Sequence, residues 1–149
     1  MIEVREIRGD SELARELVAA MEADVAAEFG PVTPDRTSVV HPDEMCPPGG
    51  TYVVVVEDGA VVAGGGLRRL GDGVAEIKRM FTLPAARGRG HGRRLLGGLE
   101  DAARRLGYEC VRLDTAASMK AALKLYSDYE SIPDYNGNSF AVFWGEKRL

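Results

Sequence analysis

Residues 87–95 read RGRGHGRRL, three glycines interleaved with basic side chains where a helical pattern begins. This combination suits a phosphate. Bare backbone lets an anion approach the main-chain N–H groups. A helix N-terminus adds unpaired donors and a positive dipole end, and arginine adds charge-assisted hydrogen bonds. Nucleotides, coenzymes and nucleic acids all carry phosphate, so the spacing has to discriminate. Glycines at 88, 90 and 92 give G-x-G-x-G, with the third glycine one place early for the dinucleotide fingerprint, and no acidic-ended βαβ unit follows. A P-loop needs Gly-Lys-Ser/Thr, which the chain lacks.

Charge narrows the choice further. The 149 residues carry a formal net charge of −4, yet Arg87, Arg89, Arg93 and Arg94 fall within eight positions. A basic patch on an acidic chain fits a small anionic ligand better than a long polyanion, so nucleic acid is not expected as a partner. The 2 cysteines, Cys46 and Cys110, have no CxxC spacing, and with only 2 histidines, His41 and His91, no metal site is expected. No apolar leader and no run of eighteen apolar residues is seen, so the chain reads as cytoplasmic, with reduced thiols and no membrane partner. Self-association, as a homodimer, is left open.

The elements that must position the loop follow from periodicity. IEVREI (2–7) alternates as a half-buried strand. Asp10 or Ser11 caps a helix to about Phe29, with Leu13, Leu17, Met21 and Val25 on one face and Gly30-Pro31 as its stop. Residues 31–50 hold five of the 7 prolines and form a long loop of the kind that binds or covers a ligand. Asp58-Gly59 and Gly71-Asp72-Gly73 turn three antiparallel strands, roughly 51–57, 60–70 and 73–82. After the Gly-Arg loop a helix places Leu95, Leu96, Leu99, Ala102, Ala103 and Leu106 on one face, and Gly107 closes it. Then come a strand at 109–115, a short helix from Ser118 to Tyr126, and a C-terminal hairpin around Asn136-Gly137. The expected fold is one α/β domain over 1–149, a single mixed, mostly antiparallel sheet of about seven strands with helices on both faces.

RGRGHG also fits R/Q-x-x-G-x-G/A, with Arg87, Gly90 and Gly92 at the defining positions after a strand and before a helix. Together with EIKRMFTLPAARG upstream and AALKLY downstream, it resembles the GNAT superfamily of acyl-CoA-dependent N-acyltransferases along nearly the whole chain. The resemblance implies an acetyl-CoA-dependent N-acetyltransferase acting on a primary amine by direct attack in a ternary complex. It implies a diphosphate cradle at Arg87, Gly88, Arg89, Gly90, His91, Gly92 and Arg93, largely through backbone amides. It also implies a pantetheine arm paired along Met80, Phe81 and Thr82, with a backbone N–H, that of Met80, polarising the thioester carbonyl. The alternative is a non-catalytic acyl-CoA-binding or partner-binding module of the same fold.

Acyl transfer to an amine needs one proton removed and one supplied. Tyr126 in KLY occupies the place where the family keeps a tyrosine beside the coenzyme sulfur, and a phenol is protonated at neutral pH. Glu76, four residues before Met80 on the same strand, is the expected base, since strict alternation puts both on one face; the alternative is a surface glutamate paired with Arg68 or Lys78. Two features differ from the family pattern. Met119 stands where many relatives have asparagine, and LYSDYE shortens the family's LYxxxGF segment, which makes Tyr129 a second candidate donor. Tyr135, Asn136, Asn138 and His41 are expected to flank the acceptor pocket. Arg68 and Arg69 either bind a substrate carboxylate or lie on a solvated strand edge.

Overall fold

The computed structural model describes residues 1–36, 38–116 and 124–149. Seven strands form one sheet in the order β1-β2-β3-β4-β5-β7-β6. They are β1 (Ile2–Ile7), β2 (Thr51–Glu57), β3 (Ala60–Gly71), β4 (Val74–Thr82), β5 (Cys110–Thr115), β6 (Glu130–Ser131) and β7 (Phe143–Arg148), with helices α1 (Glu12–Phe29) and α2 (His91–Arg105). All neighbouring pairs are antiparallel except β4 and β5. The mixed, mostly antiparallel sheet with a helix on each face is the architecture expected from the sequence.

Helix α1 starts where Ser11 Oγ accepts from Ala14 N at 3.3 Å and ends at Gly30, whose φ of 87° suits glycine. Its Ala14 and Leu17 pack on Tyr52, Val54 and Val56, one face of β2. The other face, Val53 and Val55, packs under Leu95, Leu96 and Leu99 of α2. The valine run of β2 is apolar throughout because both faces of this strand are covered.

The feature that makes a site lies on β4. Gly64 of β3 faces Phe81 and Gly66 faces Lys78, so Arg79 and Met80 together oppose Gly65. Arg79 sits in this bulge at φ 59°, a conformation uncommon outside glycine. The bulge exchanges the faces of the strand. Before it, Ile77 points to the α2 side; after it, Met80 does. The expectation that Glu76 and Met80 share a face is thereby corrected, because the extra residue breaks the alternation on which it rested.

The C-terminal hairpin also differs from expectation. Only Glu130–Ser131 pair with β7, and residues 132–142 form a long inward loop rather than a tight Asn136-Gly137 turn. Asp134 Oδ1 accepts from the N–H groups of Asn136 and Gly137, which folds the Asn-Gly pair into a local turn. Ser118, expected to cap a helix, and Met119 lie outside the described residues.

Candidate active site

Pairing between β4 and β5 runs only from Val74↔Cys110 to Ile77↔Leu113, yet the two strands go on to Thr82 and Thr115. Beyond Ile77 the bulge carries β4 away, while β5 stays paired with β7 up to Thr115↔Phe143. The opening between the strands holds a cavity of about 480 Å³. Its walls come from both diverging strands, from the start of α2, from α1 and from the loop before β7. A cavity at the carboxyl ends of two parallel strands is where α/β sheets commonly bind ligands.

The Gly-Arg loop forms one end of it. Arg87, Gly88, Gly90, His91 and Gly92 line the cavity, as do Met80, Phe81 and Thr82, whereas Arg89 and Arg93 do not. Gly90 is the N-cap of α2 in left-handed conformation, φ 81°, and no side chain caps the helix. The first-turn N–H groups are therefore left to an outside acceptor. Gly88 and Gly90 both have φ of 81°, which accounts for glycine there. Gly92 is different. Its backbone is helical, and among the described residues an added Cβ would meet only Leu125 Cδ2 at 3.5 Å, an ordinary contact. Among the described residues packing does not require glycine at 92, and the bare position leaves room for an anion at the helix end. The loop thus fits a diphosphate.

The arginines hold the loop's shape. Arg87 donates to the Thr82 carbonyl and to Asp24 on α1, both at 3.1 Å, and lies over the Phe81 ring. Arg89 pairs with Glu57 at 2.9 Å, and Arg94 donates to the Arg89 carbonyl at 2.7 Å. His91 is buried, with Nε2 2.6 Å from Glu57 Oε2 but off the direction of a hydrogen bond. Arg94 approaches Nδ1 at 3.4 Å.

Tyr126 lines the cavity, stacked on Phe143 and in edge contact with Tyr129. Its hydroxyl donates to Met80 Sδ at 3.7 Å, a weak acceptor. Burial first, and the charge of Asp114 second, push its pKa up to about 12. Tyr129 is turned away: its hydroxyl donates to Glu100 Oε2 on α2 at 2.7 Å, and it is not on the cavity wall.

Glu76 is wholly buried and also off the cavity wall. Oε1 takes the Arg68 guanidinium at 2.8 Å, and Oε2 accepts from the Tyr135 hydroxyl at 2.6 Å. Lys78 lies 3.7 Å from Glu76 and 3.5 Å from Asp114. Asn136 Nδ2 bridges Glu76 Oε2, at 3.4 Å, and Asp114 Oδ2. Asp114 does line the cavity, and among the described residues its Oδ1 makes no hydrogen bond.

Of the residues expected around the acceptor, Asn138 lines the cavity, while Tyr135 and Asn136 sit behind it on Glu76. His41 is exposed and away from it. Arg68 is taken by Glu44, Glu76 and the Val39 carbonyl, and Arg69 by Asp72, so neither reaches the cavity. Three contributors were not foreseen: Arg79, Asp114 and the apolar wall of Met21, Val25, Phe29 and Phe140. The sequence did hold signals for two of them. Asp114 is the next-to-last residue of a strand that is parallel to its neighbour, and the apolar residues of β4 fall at 74, 75, 77, 80 and 81, so the alternation of 75 and 77 breaks at 79.

The sequence model of the Acetyltransferase (GNAT) family matches residues 13–129. The chain belongs to this family. It is 34% identical over 118 residues, 73% of this chain and 71% of the other, to the uncharacterized N-acetyltransferase YjgM of Escherichia coli. Its fold is similar to that of a GNAT-family acetyltransferase from Staphylococcus aureus, with TM-score 0.76 at 18% identity over 100% of this chain and 99% of that one. It is also similar to the PaiA N-acetyltransferase of Thermoplasma acidophilum solved with coenzyme A, with TM-score 0.69 at 15% identity over 100% and 99%. Among the described residues no group of three metal-ligating side chains occurs, and no described helix is long and apolar enough to cross a membrane.

Proposed function

We propose that the protein transfers an acetyl group from acetyl-CoA to a primary amine within a ternary complex. The observation that carries this reading is the cleft between β4 and β5, which has a donor-rich helix end at one side and a protonated tyrosine on its wall. Family membership and the coenzyme A bound by a structural relative support the choice of donor. Acetyl-CoA supplies an activated acyl group whose C–S bond breaks as the new C–N bond forms.

The chain's own residues do the rest. Backbone N–H groups from Gly88 to Arg93 hold the diphosphate, with the arginines shaping the loop more than touching the ligand. The free edge of β4 at Met80–Thr82 takes the pantetheine amides as an added strand, and the Met80 N–H polarises the carbonyl that is attacked. Tyr126 delivers its proton to the departing thiolate. Its hydroxyl already faces a sulfur in this structure, and its raised pKa keeps it protonated at neutral pH. The amine's proton goes to Asp114, the carboxylate that the β5 strand brings to the wall, rather than to Asp24 or Glu28 of α1. Glu76 acts on this step through Asn136 as a positioning residue rather than by touching the amine.

Calorimetry with acetyl-CoA and thiol release across an amine panel test the reading together. Binding with turnover of at least one amine supports it. Tight binding with no turnover of any amine would instead make the chain a binding module, and no binding at all would remove the cleft assignment.

A further inference from the structure

Resting on the acyl-transfer reading above, we propose that the acceptor amine also carries a carboxylate and an apolar group, and that Arg79 holds the carboxylate. Arg79 lines the cavity next to Met80, in the bulge itself. The other basic side chains on the wall already face carboxylates. Lys78 lies between Glu76 and Asp114, Arg87 pairs with Asp24, and His91 faces Glu57. Among the described residues Arg79 makes no ion pair, and its hydrogen bond is one N–H to the Ser38 carbonyl at 3.2 Å. A guanidinium has five N–H donors in a planar fork suited to a carboxylate.

The surroundings agree. Burial lowers the pKa of Arg79, an effect that Glu22 on α1, then Asp114 and Glu76, oppose from a distance without an ion pair. Arg79 is half-buried, and a partly desolvated guanidinium without an ion-pair partner among the described residues is stabilised by a carboxylate arriving with a ligand. Its backbone is held at φ 59°, a conformation that persists where the fold over-determines it and that clusters at ligand sites.

The rest of the pocket describes the ligand's other groups. Met21, Val25 and Phe29 of α1, with Phe140, give an apolar wall. Phe29 and Phe140 meet edge-on at 6.0 Å. Arg36 lies 4.3 Å over the Phe140 ring, donates to the Phe29 carbonyl, and accepts from Ser139 N and Oγ through its own carbonyl. The loop after α1 and the loop before β7 are thus locked into one roof over that wall. Asp114 and Asn138 supply polar groups for the ammonium. A cation, an apolar wall and a carboxylate in one cavity match a zwitterion with an apolar side chain, the chemistry of a free amino acid such as leucine or phenylalanine.

The test compares matched pairs that differ by the carboxylate alone: L-leucine with 3-methylbutylamine, and L-phenylalanine with 2-phenylethylamine. Thiol release should give kcat/KM higher by about tenfold or more for the amino acid, as expected for hydrogen bonds to a charged group. Arg79→Gln should bring the ratio close to one, mainly through KM, and Arg79→Lys should restore part of it. A merely structural role would lower both members of a pair equally. Arg79→Gly, which suits the backbone conformation, replaces the Gln variant if that one does not fold. A second arm needs no turnover: 4-methylpentanoate and its neutral amide are titrated into the coenzyme-A-loaded protein. Tighter binding of the acid, lost in Arg79→Gln, supports the site even if every amine is inert, in which case only the acyl-transfer reading fails. Equal kcat/KM within pairs that do turn over, or equal binding of acid and amide, overturns the proposal and leaves acyl transfer standing.

Discussion

Replacing Gly92 with alanine should make the protein more stable and its coenzyme binding weaker, two effects of opposite sign from one methyl group. Gly92 is the second residue of α2, and its backbone is helical. A Cβ there would lie 3.5 Å from Leu125 Cδ2 and clash with none of the described residues. Alanine in place of a helical glycine contributes up to about 1 kcal/mol. For a chain of this length that raises Tm by roughly 2–4 °C. Binding should move the other way. A helix end stabilises an anion by about 0.3–2 kcal/mol, and a methyl group that pushes the diphosphate off the N–H groups removes most of it. The Kd for coenzyme A should therefore rise by roughly 2- to 30-fold at low salt. Gly97 is the control: it lies on the same helix with nothing within 4 Å of an added Cβ, so Gly97→Ala should raise Tm without changing affinity. Calorimetry and thermal melts on the two variants decide the matter. Unchanged affinity in a stabilised Gly92→Ala protein would refute the cradle. Gly90 is a poorer probe, since its φ of 81° would add about 1–2 kcal/mol of backbone strain for any side chain.

Tyr126→Phe should leave coenzyme affinity nearly unchanged and lower kcat by roughly 10²–10⁴, measured by single-turnover thiol release; full kcat would dismiss the hydroxyl as the proton donor. The raised pKa of Tyr126 also sets a pH dependence. The folded state holds the proton more tightly than the unfolded chain, so this contribution, roughly 3 kcal/mol, is complete below the ordinary phenol pKa near 10. It is lost as pH rises from there through about 12, and Tyr126→Phe should flatten that part of a denaturant-stability profile. Tyr129→Phe should cost about 1–3 kcal/mol in urea unfolding, because Glu100 loses a buried donor, with kcat preserved; a slow but stable variant would return Tyr129 to the chemistry. Glu76→Ala leaves Arg68 with Glu44 and Lys78 with Asp114 but takes the acceptor from the Tyr135 hydroxyl, and should destabilise by about 1–3 kcal/mol, seen as a lower urea midpoint; a stability loss near zero would contradict the buried network.

The fold was legible because the signals that specify it are local. Ser11 and Gly30 bracket α1, Asp58-Gly59 turns β2 into β3, and the leucines of α2 recur at helical spacing. The Gly-Arg loop was legible for the same reason, since a helix end and left-handed glycines are properties of a few consecutive residues. What could not be read was where long-range partners would take each charged side chain. Arg68 and Glu76 meet across two strands, and Tyr135 closes on Glu76 from a loop 59 residues further on. A glutamate on a central strand reads as a surface or catalytic group until those partners are known. Once they are, it is a buried charge whose lone pairs are already used. Asn136-Gly137, a strong hairpin signal by local rules, likewise yielded to Asn136 bonding inward to Asp114 and Trp144.

The bulge at Arg79 and Met80 connects these outcomes. A regular β4 would have stayed hydrogen-bonded to β5 and kept Met80 on the face of Glu76, leaving no opening between the strands. One extra residue turns Met80 toward Tyr126, releases the strand edge at Met80–Thr82 from β5, and brings Arg79 to the cavity wall. The donor side and the acceptor side proposed for the cavity would then be consequences of the same local defect. The glycines of β3 permit it. A Cβ at Gly65 would stand 3.0 Å from Met80 Cγ, and one at Gly66 would overlap Met45 Sδ, so side chains on that strand would press against the bulge and the packing behind it. Gly64-Gly65-Gly66 therefore belongs to the site as much as the Gly-Arg loop does, although it touches no ligand in the scheme above. Its part is to let β4 break its own periodicity at the one place where the sheet has to open.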